Sequence, residues 1–232
     1  MRKILIPECK DCITACKCIF SSLSNNEINT LTYNKNCSLY KKGSVIFNEG
    51  TRIHNIYCIN SGIVKLYKTG IEGKEQIIGF AKKGNIVGYR SILSKEPACS
   101  TAKVIEDVTL CSIPADSIFK LINKNTNFSI NVISLACKEL GEANQFLMNI
   151  AQKTVRERLA EAILKLKYFF NIDNDGFIQV SLSREEIASL IGTATETVIR
   201  LLSEFKKDKY IEMYKRKIKI LQENKLKEIS ND

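Results

Sequence analysis

The stretch SREEIASLIGTATETVIRLLSEF, residues 183–205, holds two helix-start signals separated by a glycine. Ser183 and Glu186 have the S-x-x-E spacing of a capping box, in which the serine and glutamate side chains bond the free amides at the start of a helix. The same spacing recurs in TATE, which begins at Thr193. Gly192 lies between the two predicted helices, where a residue without a side chain can take a positive φ and let them cross closely.

The apolar residues of this stretch fall on one face of each predicted helix. The first face contains Ile187, Ala188 and Ile191, and the second contains Val198, Leu201, Leu202 and Phe205. Two amphipathic helices joined by a glycine turn are typical of a helix-turn-helix, whose second helix lies in the major groove of DNA. The following YIEMYKRKIKIL, residues 210–221, alternates into two strands around a basic turn and predicts a wing.

The other face of the second helix is polar. Arg200 can donate two hydrogen bonds to a guanine, and Glu196 can accept one from a cytosine. The alternative is an ordinary ion pair between these two residues, which are four apart, but their place in this motif favours base contacts. Near the helix starts, Ser183, Arg184 and Thr197 are predicted phosphate contacts. The predicted DNA-binding residues are Ser183, Arg184, Thr195, Glu196, Thr197 and Arg200.

Glycines punctuate the N-terminal half of the chain. Eight of the eleven lie between residues 43 and 88, where they separate short apolar segments such as SVIF and IVKLY. Short strands joined by glycine turns predict an antiparallel sandwich or barrel, which extends to about Ile113.

From about Asn127 the apolar residues recur at alternating spacings of three and four, which predicts a heptad seam on a long helix. The seam residues are Ile133, Ala136, Leu140, Ala143, Leu147 and Ile150. Spacing alone leaves open whether this seam packs onto its own barrel or onto a second copy of the chain. The DNA-binding unit that follows favours a homodimer, because such units usually read paired half-sites.

These patterns predict an α+β protein: an N-terminal antiparallel sandwich or barrel, a long dimerisation helix and a C-terminal winged helix-turn-helix. The predicted segments are 1–20 (cysteine-rich), 21–125 (barrel, a sensor domain), 126–151 (dimerisation helix) and 152–232 (DNA-binding domain). Within the last segment we expect a helix over 153–170, a strand in FIQVSL (177–182) and a frayed end from residue 222.

The formal net charge of +10 suits a polyanionic partner. No apolar run approaches the roughly 20 residues that span a bilayer, and the apolar stretch before Pro7 is too short for a signal-peptide core. We therefore expect a cytoplasmic protein without a membrane segment. The chain has no Walker loop, dinucleotide fingerprint or nucleophile elbow, and the lone His54 has no evident catalytic partner. We therefore expect that the protein is not an enzyme.

Nine cysteines in a chain expected to stay in a reducing compartment favour metal ligation or redox chemistry over disulfides. Cys9, Cys12 and Cys18 have the spacing C-x2-C-x5-C, with Cys16 as an extra thiol, and Cys111 lies far along the chain in TLCSIP. Such thiolates could enclose an iron–sulfur cluster, and zinc is the alternative that spacing leaves open. The remaining cysteines are interpreted as unrelated thiols: Cys37, Cys58, Cys99 and Cys137.

From Cys9 to about Leu221 the chain resembles the Crp/Fnr superfamily. GKEQIIGFAKKGNIVG, residues 73–88, resembles the core of the family's cyclic-nucleotide-binding-like barrel, and GTATETVIRLL, residues 192–202, resembles its recognition helix. The resemblance implies that the N-terminal barrel is a jelly roll. The resemblance implies a dimeric transcription regulator that works with RNA polymerase. Glu196 and Arg200 match the family's base-reading pair, which implies a palindrome in double-stranded DNA with TGA in each half-site. Ile199 departs from the pattern, so the outer bases are left open.

Within the superfamily the cysteine spacing is most similar to the oxygen-responsive fumarate and nitrate reduction regulators. That resemblance implies a [4Fe-4S] cluster held by Cys9, Cys12, Cys18 and Cys111, whose loss to oxygen weakens the dimer. The extra Cys16 leaves open whether it or Cys18 is the third ligand.

The cyclic-AMP branch of the superfamily has an acidic residue and an arginine where this chain has Tyr89 and Cys99. Without that cation the phosphate charge would be poorly compensated, so cyclic AMP is not expected as ligand. The alternative function is a regulator that senses another small ligand or haem, with the N-terminal cysteines holding zinc or serving only as structure.

Overall fold

The computed structural model of the chain describes residues 9–10 and 18–231. The chain divides into two compact units, Met1–Gly141 and Glu142–Asp232, and the division falls inside one long helix. None of the helices in the described ranges combines the length and apolar character that a membrane crossing requires.

The first unit is mainly antiparallel sheet with helices at its two ends. Its strands are β1 (Asn36–Tyr40), β2 (Val45–Phe47), β3 (Asn55–Thr69), β4 (Glu75–Ala81), β5 (Ile86–Val87) and β6 (Thr101–Pro114). Its helices are α1 (Asn25–Asn34), α2 (Tyr89–Ser94), α3 (Ala115–Lys124) and the first part of α4 (Thr126–Gln152), with single 3-10 turns at Ile19–Ser22 and Ile71–Gly73.

The long strand β6 lies at the centre of the sheet. It pairs with β1 on one side and with β3 on the other, β3 continues to β4, and the short strands β2 and β5 join β6 and β3. All of these pairings are antiparallel. The predicted α+β fold with an N-terminal jelly-roll-like sheet is confirmed.

The structure shows why residue 62 is a glycine. It has a φ of +81° in the middle of β3, and a Cβ built there would lie 2.2 Å from the carbonyl oxygen of Asp107 on β6. Only a residue without a side chain allows the two strands to approach this closely.

We expect Gly62→Ala to destabilise the first unit by about 3 kcal/mol or more, because a left-handed backbone costs an alanine roughly 1–2 kcal/mol and the clash with Asp107 adds to it. Gly43→Ala is the matched control, since Gly43 has a φ of +91° with nothing within 4 Å of its Cβ position. Urea unfolding followed by the tyrosine signal measures both. Equal destabilisation by the two substitutions would contradict the close-approach explanation.

Helix α4 presents two kinds of surface. Near its start Phe128 and Val132 are buried in the core of the first unit, against Phe20 and Leu31. The six predicted seam residues are all exposed in a single copy of the chain, with Leu140 at 61% and Leu147 at 66%. Ile133, Ala136 and Leu140, the seam residues of the first unit, therefore do not pack onto its barrel.

The second unit carries the helix-turn-helix. Beyond the end of α4 it contains α5 (Val155–Phe170), α6 (Arg184–Ile191), α7 (Thr195–Lys207), β7 (Ile211–Tyr214), β8 (Lys217–Ile220) and α8 (Glu223–Ser230). Strands β7 and β8 pair as an antiparallel hairpin, so the predicted wing is confirmed. Helix α5 begins at its own capping box, between Thr154 and Glu157.

Three local predictions for the second unit were wrong. Thr193 does not cap the second helix, because its amide closes the end of α6 on the carbonyl of Ala188 at 3.1 Å, and α7 begins after Ala194. The segment FIQVSL forms only isolated bridges, because the amide of Phe177 bonds the side chain of Asp173 in the preceding turn.

The third error concerns the polar residues from 222 onward, which form α8 instead of fraying. Leu226 is fully buried and holds this helix on the unit. Glu223 also attaches α8 to α5, because Lys167 and Tyr168 on α5 donate hydrogen bonds to its carboxylate. These bonds lower the pKa of Glu223 to about 2. The burial of Leu226 and the bonds to Glu223 thus help to stabilise a helix in a segment with few apolar residues.

Candidate DNA interface and cysteine cavity

The turn of the helix-turn-helix is held by capping at both ends of α6. The hydroxyl of Ser183 accepts the amide of Glu186 at 3.1 Å, and the carboxylate of Glu186 accepts the amide of Ser183 at 2.9 Å, so this predicted capping box is confirmed. Gly192 ends the helix with a φ of +66°. The guanidinium of Arg158 on α5 donates to the carbonyl of Ile191 at 3.0 Å and neutralises the negative end of α6.

Helix α7 buries one face and exposes the other. Val198 and Phe205 are fully buried, together with Leu201 and Leu202, as the apolar pattern predicts. Glu196 and Arg200 are exposed on the opposite side. Arg200 forms its ion pair with Glu204 at 2.6 Å, one turn further on. The exposed face of α7 therefore carries an ion pair between Arg200 and Glu204. Because an exposed ion pair contributes little stability, Arg200 can leave Glu204 and bond a base edge at small cost.

Arg184 is the unusual residue of this surface. Its Nη2 donates to the sulfur of Met213 on β7 at 3.3 Å, and its Nη1 is buried with no hydrogen-bond partner among the described residues. Burial, followed by repulsion from Arg216 in the wing turn, lowers the pKa of Arg184. A half-buried cation without an anion, beside a second cation, is a site where a phosphate would satisfy unmet donors.

We expect Arg184→Met to raise the stability of the second unit by about 1 kcal/mol, because it removes a buried donor without a partner. The same substitution is expected to weaken binding to operator and random DNA alike, by about tenfold, the size of one charge-assisted contact. Thermal unfolding and fluorescence anisotropy measure the two effects.

Lys225→Met is the charge-matched control, since exposed Lys225 forms an ion pair with exposed Glu228 on α8. Unchanged DNA affinity in Arg184→Met, or a loss equal to that of Lys225→Met, would contradict this role.

A cavity in the first unit gathers cysteines from separate parts of the chain. Cys9, Cys18 and Cys111, three of the predicted cluster ligands, all line it. Cys58 on β3 lines it too. The rest of the wall is mainly apolar and includes Phe20, Leu31, Ile86 and Ile113. The fold thus brings Cys9 and Cys18 to one cavity with Cys111 of β6.

Lys35, between α1 and β1, lines the same cavity and is only 8% exposed. Burial disfavours its charge, but attraction to the sulfurs of Cys9 and Cys111 outweighs burial, so the pKa of Lys35 is raised. The ammonium therefore supplies a positive charge to a group of thiols. Such a charge stabilises thiolates and any negatively charged group that they bind.

The cysteine cavity is a candidate metal centre. Cys12 and Cys16 lie outside the described residues. Within residues 9–10 and 18–231 no three His, Cys, Asp or Glu side chains are already arranged around a common metal position. The donor set nevertheless fits an iron–sulfur or zinc group in kind, because it consists of thiols in an apolar wall beside a buried cation.

Comparison with known proteins places the chain in a family. A cyclic nucleotide-binding domain matches residues 38–125, and a Crp-like helix-turn-helix domain matches residues 157–229. The chain is 30% identical over 204 residues to the fumarate and nitrate reduction regulatory protein of Yersinia pestis, covering 86% of this chain and 80% of that protein. The chain belongs to the Crp/Fnr family. It is a DNA-binding transcription regulator of that type.

Other relatives support the same assignment. This Crp/Fnr regulator is 28% identical over 218 residues to the transcriptional activator protein Anr of Pseudomonas protegens, covering 92% of this chain and 88% of that protein. The structure of FixK2 from Bradyrhizobium japonicum shares the fold, with a TM-score of 0.76 and 22% identity over 84% of this chain and 96% of that chain.

In this Crp/Fnr regulator Tyr89, the residue after Gly88, is hydrogen-bonded within the protein. The hydroxyl of Tyr89, which is 3% exposed, donates to the carboxylate of Glu139 on α4 at 2.7 Å, and the Nε of Arg90 donates to the same oxygen at 2.8 Å. Burial and the bond to Glu139 raise the pKa of Tyr89, so the phenol stays protonated. This network links the strand β5 region to the long helix.

Sequence reasoning missed several residues of this Crp/Fnr regulator. Lys35 carried no signal, since a lysine between polar residues is expected to be exposed, and its burial in the cavity wall involves residues from distant segments. Cys58 was interpreted as an unrelated thiol, although its place in an alternating apolar strand could have indicated an inward side chain. The partner of Tyr89, fifty residues away on α4, could not be found from local pattern.

Proposed function

We propose that this Crp/Fnr regulator responds to oxygen or another oxidant through a [4Fe-4S] cluster held by Cys9, Cys12, Cys18 and Cys111. One observation carries the proposal: Cys9, Cys18 and Cys111, which are far apart in the sequence, line a single apolar cavity. The similarity to the fumarate and nitrate reduction regulatory protein of Yersinia pestis supports it. Zinc on the same thiols is the alternative.

The residues of the chain have distinct parts in this proposal. When bound, the cluster supplies iron and sulfide that an oxidant can attack. The ligand thiolates come from the segment before α1 and from β6, so binding by all of them ties the N-terminal segment onto the sheet. Lys35 balances negative charge at the sulfurs, and the apolar wall keeps water from competing for the ligands.

Dimerisation through α4 is the second part of the proposal. The exposed seam formed by Ile133, Ala136, Leu140, Ala143, Leu147 and Ile150 is supported by the exposure of all six side chains. Such a stripe at heptad spacing requires a cover, and a second copy of α4 has the matching pattern. Glu139 on the same helix bonds Tyr89 and Arg90, which gives the sensor unit a direct contact with the dimerisation helix.

We expect Leu140→Glu to weaken the dimer by more than about tenfold, because it places a carboxylate in the apolar seam. Lys138→Glu is the matched control, since it puts the same side chain at an exposed position on the opposite side of α4. Analytical ultracentrifugation of anaerobic protein measures both. A dimer that tolerates both substitutions equally would remove the seam from the proposal.

The DNA surface completes the proposal. Glu196 and Arg200 read bases in TGA half-sites of a palindrome in double-stranded DNA, Thr195 lies beside them at the start of α7, and Ser183, Arg184 and Thr197 contact phosphate. The exposure of Glu196 and Arg200 and the unmet donor of Arg184 support these roles. Acting as a transcription regulator, the protein works with RNA polymerase in the cytoplasm, and we assign it no enzymatic activity.

Cyclic AMP is not the proposed ligand of the sheet domain. The position where the cyclic-AMP branch has an acidic residue holds Tyr89, whose hydroxyl is committed to Glu139. Cys99, at the position of that branch's arginine, is exposed and brings no positive charge. Both observations speak against a cyclic-nucleotide site of that branch's kind.

We expect protein purified without air to absorb near 400 nm and to contain iron and sulfide in equal amounts. Cys111→Ser and Cys9→Ser are expected to lose this absorbance. Comparing Cys16→Ser with Cys18→Ser identifies the third ligand, and Cys137→Ser, which alters an exposed thiol on α4, is the control. Colourless protein with stoichiometric zinc would refute the cluster and leave the DNA-binding function intact.

A further inference from the structure

Three cysteines form a row across the sheet. In the register of the strands Cys111 on β6 lies directly opposite Cys37 on β1 and directly opposite Cys58 on β3. Residues directly opposite each other in antiparallel strands project from the same face, with Cα atoms about 4.5 or 5.5 Å apart. Both separations fall within the range of roughly 4.4–6.8 Å that a disulfide can bridge.

The cavity distinguishes the two neighbours of Cys111. Cys58 and Cys111 both line it, whereas Cys37 is absent from its wall among the described residues. Cys111 is 5% exposed, while Cys58 is intermediate and therefore easier for a solute to reach. The pair thus combines an accessible thiol with a buried one that faces the same space.

We infer that Cys58 and Cys111 are a redox pair that forms a reversible disulfide when the cavity thiols hold no metal. A low-molecular-weight disulfide is the oxidant. The thiolate of Cys58 attacks one of its sulfurs, its S–S bond breaks, and one thiol leaves after taking a proton.

Closure of the pair completes the exchange. The thiolate of Cys111 attacks the Cys58 sulfur of the mixed disulfide, and the second small thiol leaves with a proton. Two protein thiols are oxidised to one disulfide while one small disulfide is reduced to two thiols. The exchange is reversible, because a dithiol thiolate can attack the protein disulfide in the same way and return both cysteines to thiols.

This pair has a consequence that rests on the proposed function. Cys111 is a proposed cluster ligand, so the disulfide would take it out of the ligand set. A protein that has lost its cluster would then stay without one until a dithiol reduces the pair. Cys58 would thereby convert a brief exposure to oxidant into a lasting state of the regulator.

The test uses the full-length chain, freed of metal under argon and then treated with oxidised glutathione. Remaining thiols are alkylated, and tryptic peptides are identified by mass spectrometry without reduction. Cleavage at lysine and arginine puts Cys37, Cys58 and Cys111 in separate peptides, residues 36–41, 53–65 and 104–120. The expected product is peptide 53–65 joined to 104–120, which dithiothreitol separates. Peptide 104–120 that stays alkylated, or that joins chiefly to 36–41, would overturn the inference.

Variants separate this inference from the cluster. Cys58→Ser is expected to abolish the cross-link to 104–120, and Cys37→Ser, which removes the other neighbour of Cys111, is expected to leave it unchanged. A variant with all four N-terminal cysteines changed to serine cannot hold the proposed cluster, yet we expect it to form the same cross-link. Loss of the cross-link in that variant would overturn the pair as an independent device.

A last comparison tests the link between the pair and the cluster. Protein with its cluster reconstituted anaerobically is expected to be protected from the cross-link, because Cys111 is then occupied. Equal cross-linking in loaded and metal-free protein would overturn the proposed consequence for regulation. Loss of visible absorbance from the anaerobic Cys58→Ser protein would instead identify Cys58 as a ligand and overturn its role as a redox partner.

Discussion

The pairing of β6 with both β1 and β3 is the interaction on which the rest of this protein depends. It places Cys111 at the centre of the sheet, beside Cys37 and Cys58. It buries Ile113 against Phe20 and Leu31, which closes the wall of the cavity. A slip of one residue would turn Cys111 to the other face of the sheet and away from Cys9 and Cys18. Register thus decides whether the thiols can act together.

A buried charge gives this cavity its chemical character. An ammonium without compensation would be costly in an apolar wall, and Lys35 is compensated by sulfur. Arg184 in the second unit is the contrasting case, because its Nη1 is buried without a hydrogen-bond partner among the described residues. Lys35 is thus stabilised by sulfur atoms of the protein itself, whereas we propose that a DNA phosphate supplies the counter-charge of Arg184.

The sequence predicted the parts of the fold that depend on local chemistry. The Ser183 capping box, the buried face of α7 and the length of α4 follow from spacing and were found as expected. The Thr193 cap failed because the end of α6 uses that amide, and the polar tail formed α8 because Leu226 found a tertiary site. The first outcome is a local competition for one amide, whereas the second depends on contacts between distant segments, which no local window contains. The grouping of Cys9, Cys18 and Cys111 was expected from family resemblance, while the places of Lys35 and Cys58 in the same cavity became evident only from the fold.

The central claim is that the cavity thiols control a DNA-binding dimer. The most direct measurement is the affinity of anaerobic protein, before and after exposure to air, for a palindromic duplex with TGA half-sites, in wild type and in Cys111→Ser. The account predicts tight binding by anaerobic wild type that falls after air, and weak binding by Cys111→Ser in both conditions. Equal affinity of the two proteins, unchanged by air, would contradict it.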